Sequence, residues 1–283
     1  MRRLLPLFLA ALVVLAGCNG LGLPGGADDT TVAPNATATG TPAPPGENVT
    51  AQSVKNETLA TLDEVTTYRL AVDQRTDYVA RNESENTTAT GRFNRTVRDA
   101  ALVNNVSASG VSLTVETYVD GENQTLYQYS PAYAQDFDSN WLRSDVSGNF
   151  SATWEQYDTL ARQRALLNAS NVTLEGTERL NGTDVYVLNG TVEESEYERL
   201  GLRSAGVLNV STVSATFYVS VANATLVRSQ VDLAGTRQAR GESFEFERSV
   251  DLRFSGYGDP VTVDIPDDAD DAVRVDNGTA ASR

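Results

Sequence analysis

A chain of 283 residues with one cysteine (Cys18), one lysine (Lys55) and no histidine has a short inventory of chemistry. Without histidine there is no Ser-His-Asp or Cys-His arrangement and no imidazole ligand for zinc. Cys18 alone closes no intramolecular disulfide and builds no cysteine cluster, which leaves intermolecular pairing, a reactive thiol or chemical modification. A Ser-Lys dyad would have to use Lys55, whose setting, "AQSVKNETLATLDEV", reads as an amphipathic helix with polar neighbours. Glu193, Glu194, Glu196 and Glu198 cluster as the carboxylates of a glycoside hydrolase would, yet adjacent charges on a short run are the pattern of a solvated face. Asp267, Asp268, Asp270 and Asp271 lack the alternating ligands and central glycine of a calcium loop. "GLGLPGG" has no flanking strand and helix to make it a phosphate loop. No catalytic residue, metal site or cofactor is expected, and the chain reads as a non-enzyme.

The flanks of Cys18 decide among its uses. Arg2 and Arg3 form a basic start, Leu4 to Ala16 an apolar run too short to span a bilayer, and Leu15-Ala16-Gly17 a small-residue processing site ending at the cysteine. Leu15-Ala16-Gly17-Cys18 resembles the lipobox of prokaryotic lipoproteins, which implies lipidation of Cys18 and cleavage before it. Arg2-Arg3-Leu4-Leu5 also resembles a shortened twin-arginine export signal, without the preceding Ser or Thr and the following Lys. The expected location is the extracytoplasmic face of the cell membrane, with the membrane held as a partner through the lipidated cysteine.

Sixteen of the nineteen asparagines stand in Asn-X-Ser/Thr, far more than the Ser and Thr content would place there by chance. Asn86, Asn94, Asn168, Asn171, Asn189 and Asn223 are the leading candidates for N-glycosylation. The net charge of −16 repels phosphate backbones, so nucleic acid is not an expected partner. Nearly all cations being arginine, the acidic balance resembles that of proteins from very salty surroundings, where charge repulsion is screened within a few ångströms. A hydrophobic content of 40% argues for a folded chain.

These residues must be positioned by a small number of elements. Residues 1–17 read as a signal peptide, and 18–50, rich in Gly, Pro, Ala and Thr, as a disordered tether that reaches roughly 30 Å. Residues 267–283 read as an acidic disordered tail. The 51–266 segment is long enough for one sizeable core, and its dominant period is two. Val111, Leu113, Val115 and Val119 alternate with polar residues, as do Val213, Ala215, Phe217, Val219 and Val221, and again Phe244, Phe246, Val250, Leu252 and Phe254. Each pattern predicts an antiparallel strand with one wet face. Asp120-Gly121, Asn181-Gly182 and Asn189-Gly190 are expected to turn between strands of a meander. Two helices are expected against one sheet face: 51–65, with Val54, Leu59, Leu62 and Val65 inward, and one capped by Ser151, with Trp154, Tyr157, Leu160, Ala161 and Leu167 inward.

An N-terminal helix running into "TTYRLAVDQRTDYV", a mid-chain helix, then "VTLEGTERLNGTDVYVLNG", "ATFYVSVANATLVRSQVDL" and "GYGDPVTVDIPDDA" resembles the LolA/LppX lipoprotein-carrier fold. Leu174 to Glu178, Asn181-Gly182-Thr183, Tyr186-Val187-Leu188, and Asp259-Pro260-Val261 to Ile265-Pro266 carry most of the likeness, which is nearest to haloarchaeal lipoproteins of unknown function with this architecture. The resemblance implies an α+β fold, an antiparallel half β-barrel covered by short helices, with an interior that accepts acyl chains. A lipobox of its own makes a soluble shuttle a poor analogue and a membrane-attached LppX a closer one. Trp154 and Tyr157 on the covering helix, with Phe217, Val219, Val231, Phe246, Val250, Leu252 and Phe254 on strands, either line a cavity for a lipid or isoprenoid chain or fill a core. In the second case the protein would be a structural or interaction component of the cell envelope.

Overall fold

The computed structural model describes residues 49–79, 83–202, 207–239 and 242–275. Cys18, the segment expected to be a signal peptide and all but residues 49–50 of the expected tether lie outside them. Twelve strands of the described chain join in one sheet, in the order β12-β6-β5-β4-β3-β2-β1-β11-β10-β9-β8-β7. The first meander comprises β1 (Thr67–Tyr78), β2 (Glu83–Asn94), β3 (Asp99–Ala108), β4 (Val111–Asp120), β5 (Thr125–Tyr129) and β6 (Trp141–Asp145). The second comprises β7 (Ser170–Leu180), β8 (Thr183–Val192), β9 (Val207–Ser220), β10 (Leu226–Ala239) and β11 (Glu242–Ser255). They meet where β1 pairs with β11, setting Leu70 against Phe254, Val72 against Leu252 and Gln74 against Val250.

Period two works as anticipated in β11, where Phe244, Phe246, Val250, Leu252 and Phe254 are all buried, together with Arg248 in the same inward series, and the alternate residues face water or the surface rim. On that outer surface Asp73 and Asp251 stand opposite each other, a like-charge pairing that would repel. Arg253 bridges them, its Nη2 donating to Asp73 Oδ2 at 2.5 Å and to Asp251 Oδ2 at 2.9 Å, while Arg228 makes a two-pronged bond to Asp251. Val111 and Val221, expected inward, are exposed because Val111 is the first residue of β4 and Val221 lies in the turn just past β9, beyond the reach of the core.

Helix α1 (Ala51–Glu64) starts at Thr50, whose side chain accepts from Ser53 N while Ser53 Oγ accepts from Thr50 N. A short α2 (Ala134–Phe137) follows β5. The second expected helix is two: α3 (Phe150–Tyr157) and α4 (Thr159–Ala169), broken at Asp158. Ser151 lies inside α3 and caps nothing; Asp158 caps α4 instead, accepting from Ala161 N at 3.1 Å. α3 and α4 carry the chain from β6 at one end of the sheet to β7 at the other, and α1 packs on α4 and β7.

Two expectations fail for identifiable reasons. Asn189-Gly190 is no turn but the middle of β8. A Cβ on Gly190 would stand 2.9 Å from Ser170 Cβ and 3.2 Å from Phe217 Cε2, so the glycine serves close packing. Asn181-Gly182 is the turn, with φ of 48° and 88°. The tail is also ordered through 275: Ala269 and Ala272 pack with Tyr118, Trp141 and Ala101 on the outer face, and β12 (Val273–Arg274) runs parallel to β6. Small apolar residues spaced among the aspartates give this strap a face that fits between aromatic rings, and it covers the edge of β6.

Candidate ligand-binding interior

The interior lies between the sheet and the helix layer, and its anchor point is the break at Asp158. Tyr68, stacked on Phe93 with ring centroids 4.4 Å apart, donates its hydroxyl to Asp158 Oδ1 at 3.1 Å and accepts from Leu160 N at 3.2 Å. Arg95, in the turn after β2, donates from Nε to Asp158 Oδ2 at 2.9 Å and from Nη1 to Leu62 O and Val65 O at 2.9 and 2.8 Å. One carboxylate and one guanidinium thus fasten the end of α1, the α3–α4 break, β1 and the β2 turn together. Burial and the Asp158 charge push the Tyr68 hydroxyl well above the ordinary phenol range, so it remains a donor.

Lys55 supplies the second tie. Only 8% exposed, it donates from Nζ to Asn168 O at 2.9 Å and Ser170 O at 2.7 Å, at the C-terminal end of α4. A cation there satisfies carbonyls that the helix leaves open and faces the negative end of its dipole. Burial pulls its ammonium below the ordinary lysine value. The lone lysine is therefore a fastener between α1 and α4, not a solvated residue.

All nine residues expected to line a cavity come together in one buried apolar cluster: Trp154, Tyr157, Phe217, Val219, Val231, Phe246, Val250, Leu252 and Phe254. Phe217, Val219 and Leu252 have no accessible surface at all, so they touch no void of water size and pack as core in this state. Burial pushes the Tyr157 hydroxyl above its usual value.

The interior also holds polar groups that sequence reasoning passed over. Gln74 Nε2, Thr87 Oγ1, Asn104 Oδ1, Gln128 Nε2 and Ser229 Oγ are buried without a hydrogen-bond partner, as are both amide atoms of Gln163 on α4. Arg162, next along, has Nε and Nη1 in the same condition, with Nη2 donating to Thr159 Oγ1 at 3.2 Å; desolvation pulls its guanidinium down to about 10. The signal for the β1 members was present, since the inward series Tyr68, Leu70, Val72 continues as Gln74 and Thr76.

Of the glycosylation candidates, Asn86, Asn168, Asn171, Asn189 and Asn223 are exposed and Asn94 is half-buried. Asn171 and Asn189 border an open surface recess of about 380 Å³ with Thr173, Thr191, Ser214 and Thr216. In the β7–β8 register, Asn171 of one sequon faces Thr191 of the other, and Thr173 faces Asn189. The carboxylates at 193–198 lie on a surface turn in which Glu196 pairs with Arg199. Among the described residues no group of three or more Asp, Glu, His or Cys is placed to hold a metal ion, and no helix is long and apolar enough to cross a membrane.

These features define an α+β half-barrel, an antiparallel sheet with short helices over its inner face. No protein-family model and no curated protein matches the chain. Among solved structures, LprF from Mycobacterium bovis is similar at 16% identity, covering 79% of this chain and 99% of that one, with a TM-score of 0.45. Lipoprotein LppX from Mycobacterium tuberculosis is similar at 19% identity, covering 76% and 98%, with a TM-score of 0.45. A LolA-superfamily protein from Nitrosomonas europaea is similar at 13% identity, covering 77% and 96%, with a TM-score of 0.26.

Proposed function

We propose that the protein is an exported, non-catalytic binding module, lipid-anchored through Cys18 on the extracytoplasmic face of the cell membrane. Its interior takes the hydrocarbon chain of a lipid or isoprenoid when the helix layer lifts from the sheet. One observation carries the reading: the apolar inner face is roofed by short helices fastened through polar ties at Asp158 and Lys55. Such ties can be exchanged for water, a hydrogen bond to a charged group contributing about 1.5–3 kcal/mol net. Each methylene buried in return contributes about 0.8 kcal/mol. Asn86, Asn94, Asn168, Asn171, Asn189 and Asn223 would carry glycans on the outside of the same domain.

A second reading is favoured by the complete burial of Phe217, Val219 and Leu252: a permanently filled core, with the exposed sheet face contacting another envelope protein. Native mass spectrometry and lipid extraction of the protein purified from its own membrane distinguish the two. The ligand reading expects a co-purifying lipid and binding of long-chain probes. Absence of both would leave the filled-core reading standing.

A further inference from the structure

We propose that the inner face of β1–β3 holds a site for a hydroxyl-bearing headgroup, so that the ligand is a neutral amphiphile of the monoacylglycerol or polyol-ether class rather than a plain hydrocarbon or an anionic lipid. The inference rests on the binding reading above and names the chemistry of its ligand.

The site is built by three strands in register. Gln74 of β1 stands directly opposite Thr87 of β2. Asn104 of β3 faces Ala89, and Thr87 faces Val106, which makes Asn104 and Thr87 diagonal neighbours on the same inner face. Direct partners on a sheet are about 5 Å apart at Cβ and diagonal ones about 7–8 Å, so a group the size of a glycerol unit reaches all three. The side chains are buried to 5%, 2% and 1% exposure. Even so, Gln74 Nε2, Thr87 Oγ1 and Asn104 Oδ1 bond to nothing, although Gln74 and Thr87 face each other across the ladder. Buried polar atoms in folded proteins nearly always have a partner, and three adjacent exceptions on neighbouring strands mark a partner missing from the protein itself.

The valence of the three atoms selects the ligand. Gln74 Nε2 donates, Asn104 Oδ1 accepts, and the Thr87 hydroxyl does either. A ligand hydroxyl is both donor and acceptor, and a pair of them completes the set. A methyl ester offers only acceptors and leaves Asn104 Oδ1 unmet. A carboxylate or phosphate would in addition set negative charge against that oxygen. The neighbouring row gives an anion no compensation: Arg248, facing Thr76, donates from Nε to Thr76 Oγ1 at 3.1 Å, and Glu85 faces Thr76 from the other side, so one cation and one carboxylate flank the same threonine. Thr87, Gln74 and Val250 form one cross-strand row and Ala89, Val72 and Leu252 the next, which places the polar atoms beside the apolar floor that would hold the chain.

The test is native mass spectrometry of the full-length protein released from non-ionic detergent micelles. It is first incubated with an equimolar mixture of a monoacylglycerol, the fatty-acid methyl ester of the same chain length and the free fatty acid. The monoacylglycerol adduct is expected to exceed each of the others by about tenfold, the discrimination of one to two hydrogen bonds. In a Gln74→Leu, Thr87→Val, Asn104→Leu variant the preference should fall to near unity while the methyl-ester adduct persists. The near-isosteric Thr87→Val alone should reduce it about threefold, guarding against a triple variant that does not fold. Equal adducts in the wild type would overturn the headgroup site and assign the three atoms to ordered water, leaving the binding reading intact. Retention of the preference in a folded triple variant would also overturn it. No adduct with any of the three would overturn both readings.

Discussion

Asp158→Ala tests whether the helix layer is fastened where the geometry says it is. The wild-type carboxylate, 4% exposed, caps α4 through Ala161 N, accepts from Tyr68 and pairs with Arg95. Loss of the cap costs about 1 kcal/mol. Removing one partner of a buried ion pair costs roughly 3–5 kcal/mol, but Arg95 is 19% exposed and keeps Leu62 O and Val65 O, which brings that share down to about 2 kcal/mol. The Tyr68 hydroxyl, left without its acceptor, adds about 1 kcal/mol. Because one carboxylate serves all three, the losses overlap, and the expected total is about 3 kcal/mol. For a domain of this size that is a fall in Tm of roughly 6–12 °C. Asp158→Asn keeps the cap and the tyrosine acceptor through Oδ1 but removes the charge and puts an amide donor where Arg95 Nε needs an acceptor, so it should lose the Arg95 share of about 2 kcal/mol and spare the rest. Urea unfolding followed by tryptophan fluorescence suits the question, since Trp154 lies on α3 and Trp141 on the sheet. A cost below about 1 kcal/mol for Asp158→Ala, or equal costs for the alanine and asparagine variants, would refute the tie as the fastening of the layer.

Gly190→Ala should destabilise by about 1–3 kcal/mol in thermal unfolding, because its Cβ meets Ser170 and Phe217 at 2.9 and 3.2 Å, whereas Gly148→Ala, with open space around it, should change little. Asp99 has its pKa raised by burial above the unfolded value, so its ionised form costs stability once the pH rises through and above that range. Asp99→Asn, whose amide oxygen still accepts from Gly121 N, should therefore gain less than about 1 kcal/mol at neutral pH and lose the gain below about pH 3.8; a wild type more stable than the variant at neutral pH would contradict this. Cys18→Ala should move the protein from the membrane to the soluble fraction or leave an uncleaved precursor, and mature, membrane-bound protein in the variant would rule out the anchor.

What the sequence showed and what it hid divide along a physical line. The inward faces of β9 and β11 were readable because alternation of Val213, Ala215, Phe217 and Val219, or of Val250, Leu252 and Phe254, is a local property of an extended chain. The tripeptide Asn-Gly-Thr occurs at 181–183 as a turn and at 189–191 inside a strand, so no local rule separates the two. Ser170 and Phe217 decide the second case, from residues twenty or more positions away. The break at Asp158 was equally invisible, since its causes are Tyr68 and Arg95 on other elements. The strap at 267–275 was hidden by its aspartates, its two buried alanines being too small to register as a core signal.

The polar interior belongs to a third kind of signal, readable but easily discounted. In β1 the inward series passes from Tyr68, Leu70 and Val72 to Gln74 and Thr76, and in β2 from Phe93 and Ala89 to Thr87 and Glu85, so both strands change character at the same rows. A sheet whose inner face only had to bury against helices would gain by staying apolar there, because each polar atom desolvated without a partner costs about 1–3 kcal/mol. The change in β1 and β2 is matched row by row, while other unmet polar atoms lie nearer the Tyr68 end, at Ser229 beside Leu252, at Gln128 in the Leu70 row and at Arg162 and Gln163 on α4. On β1–β3 the inner face thus runs from Tyr68, Leu70 and Val72 to a polar stretch where Gln74, Thr87 and Asn104 carry unmet atoms. Under the headgroup proposal this stretch is where the polar end of an amphiphile would sit, its hydroxyls offsetting the cost of those unmet atoms.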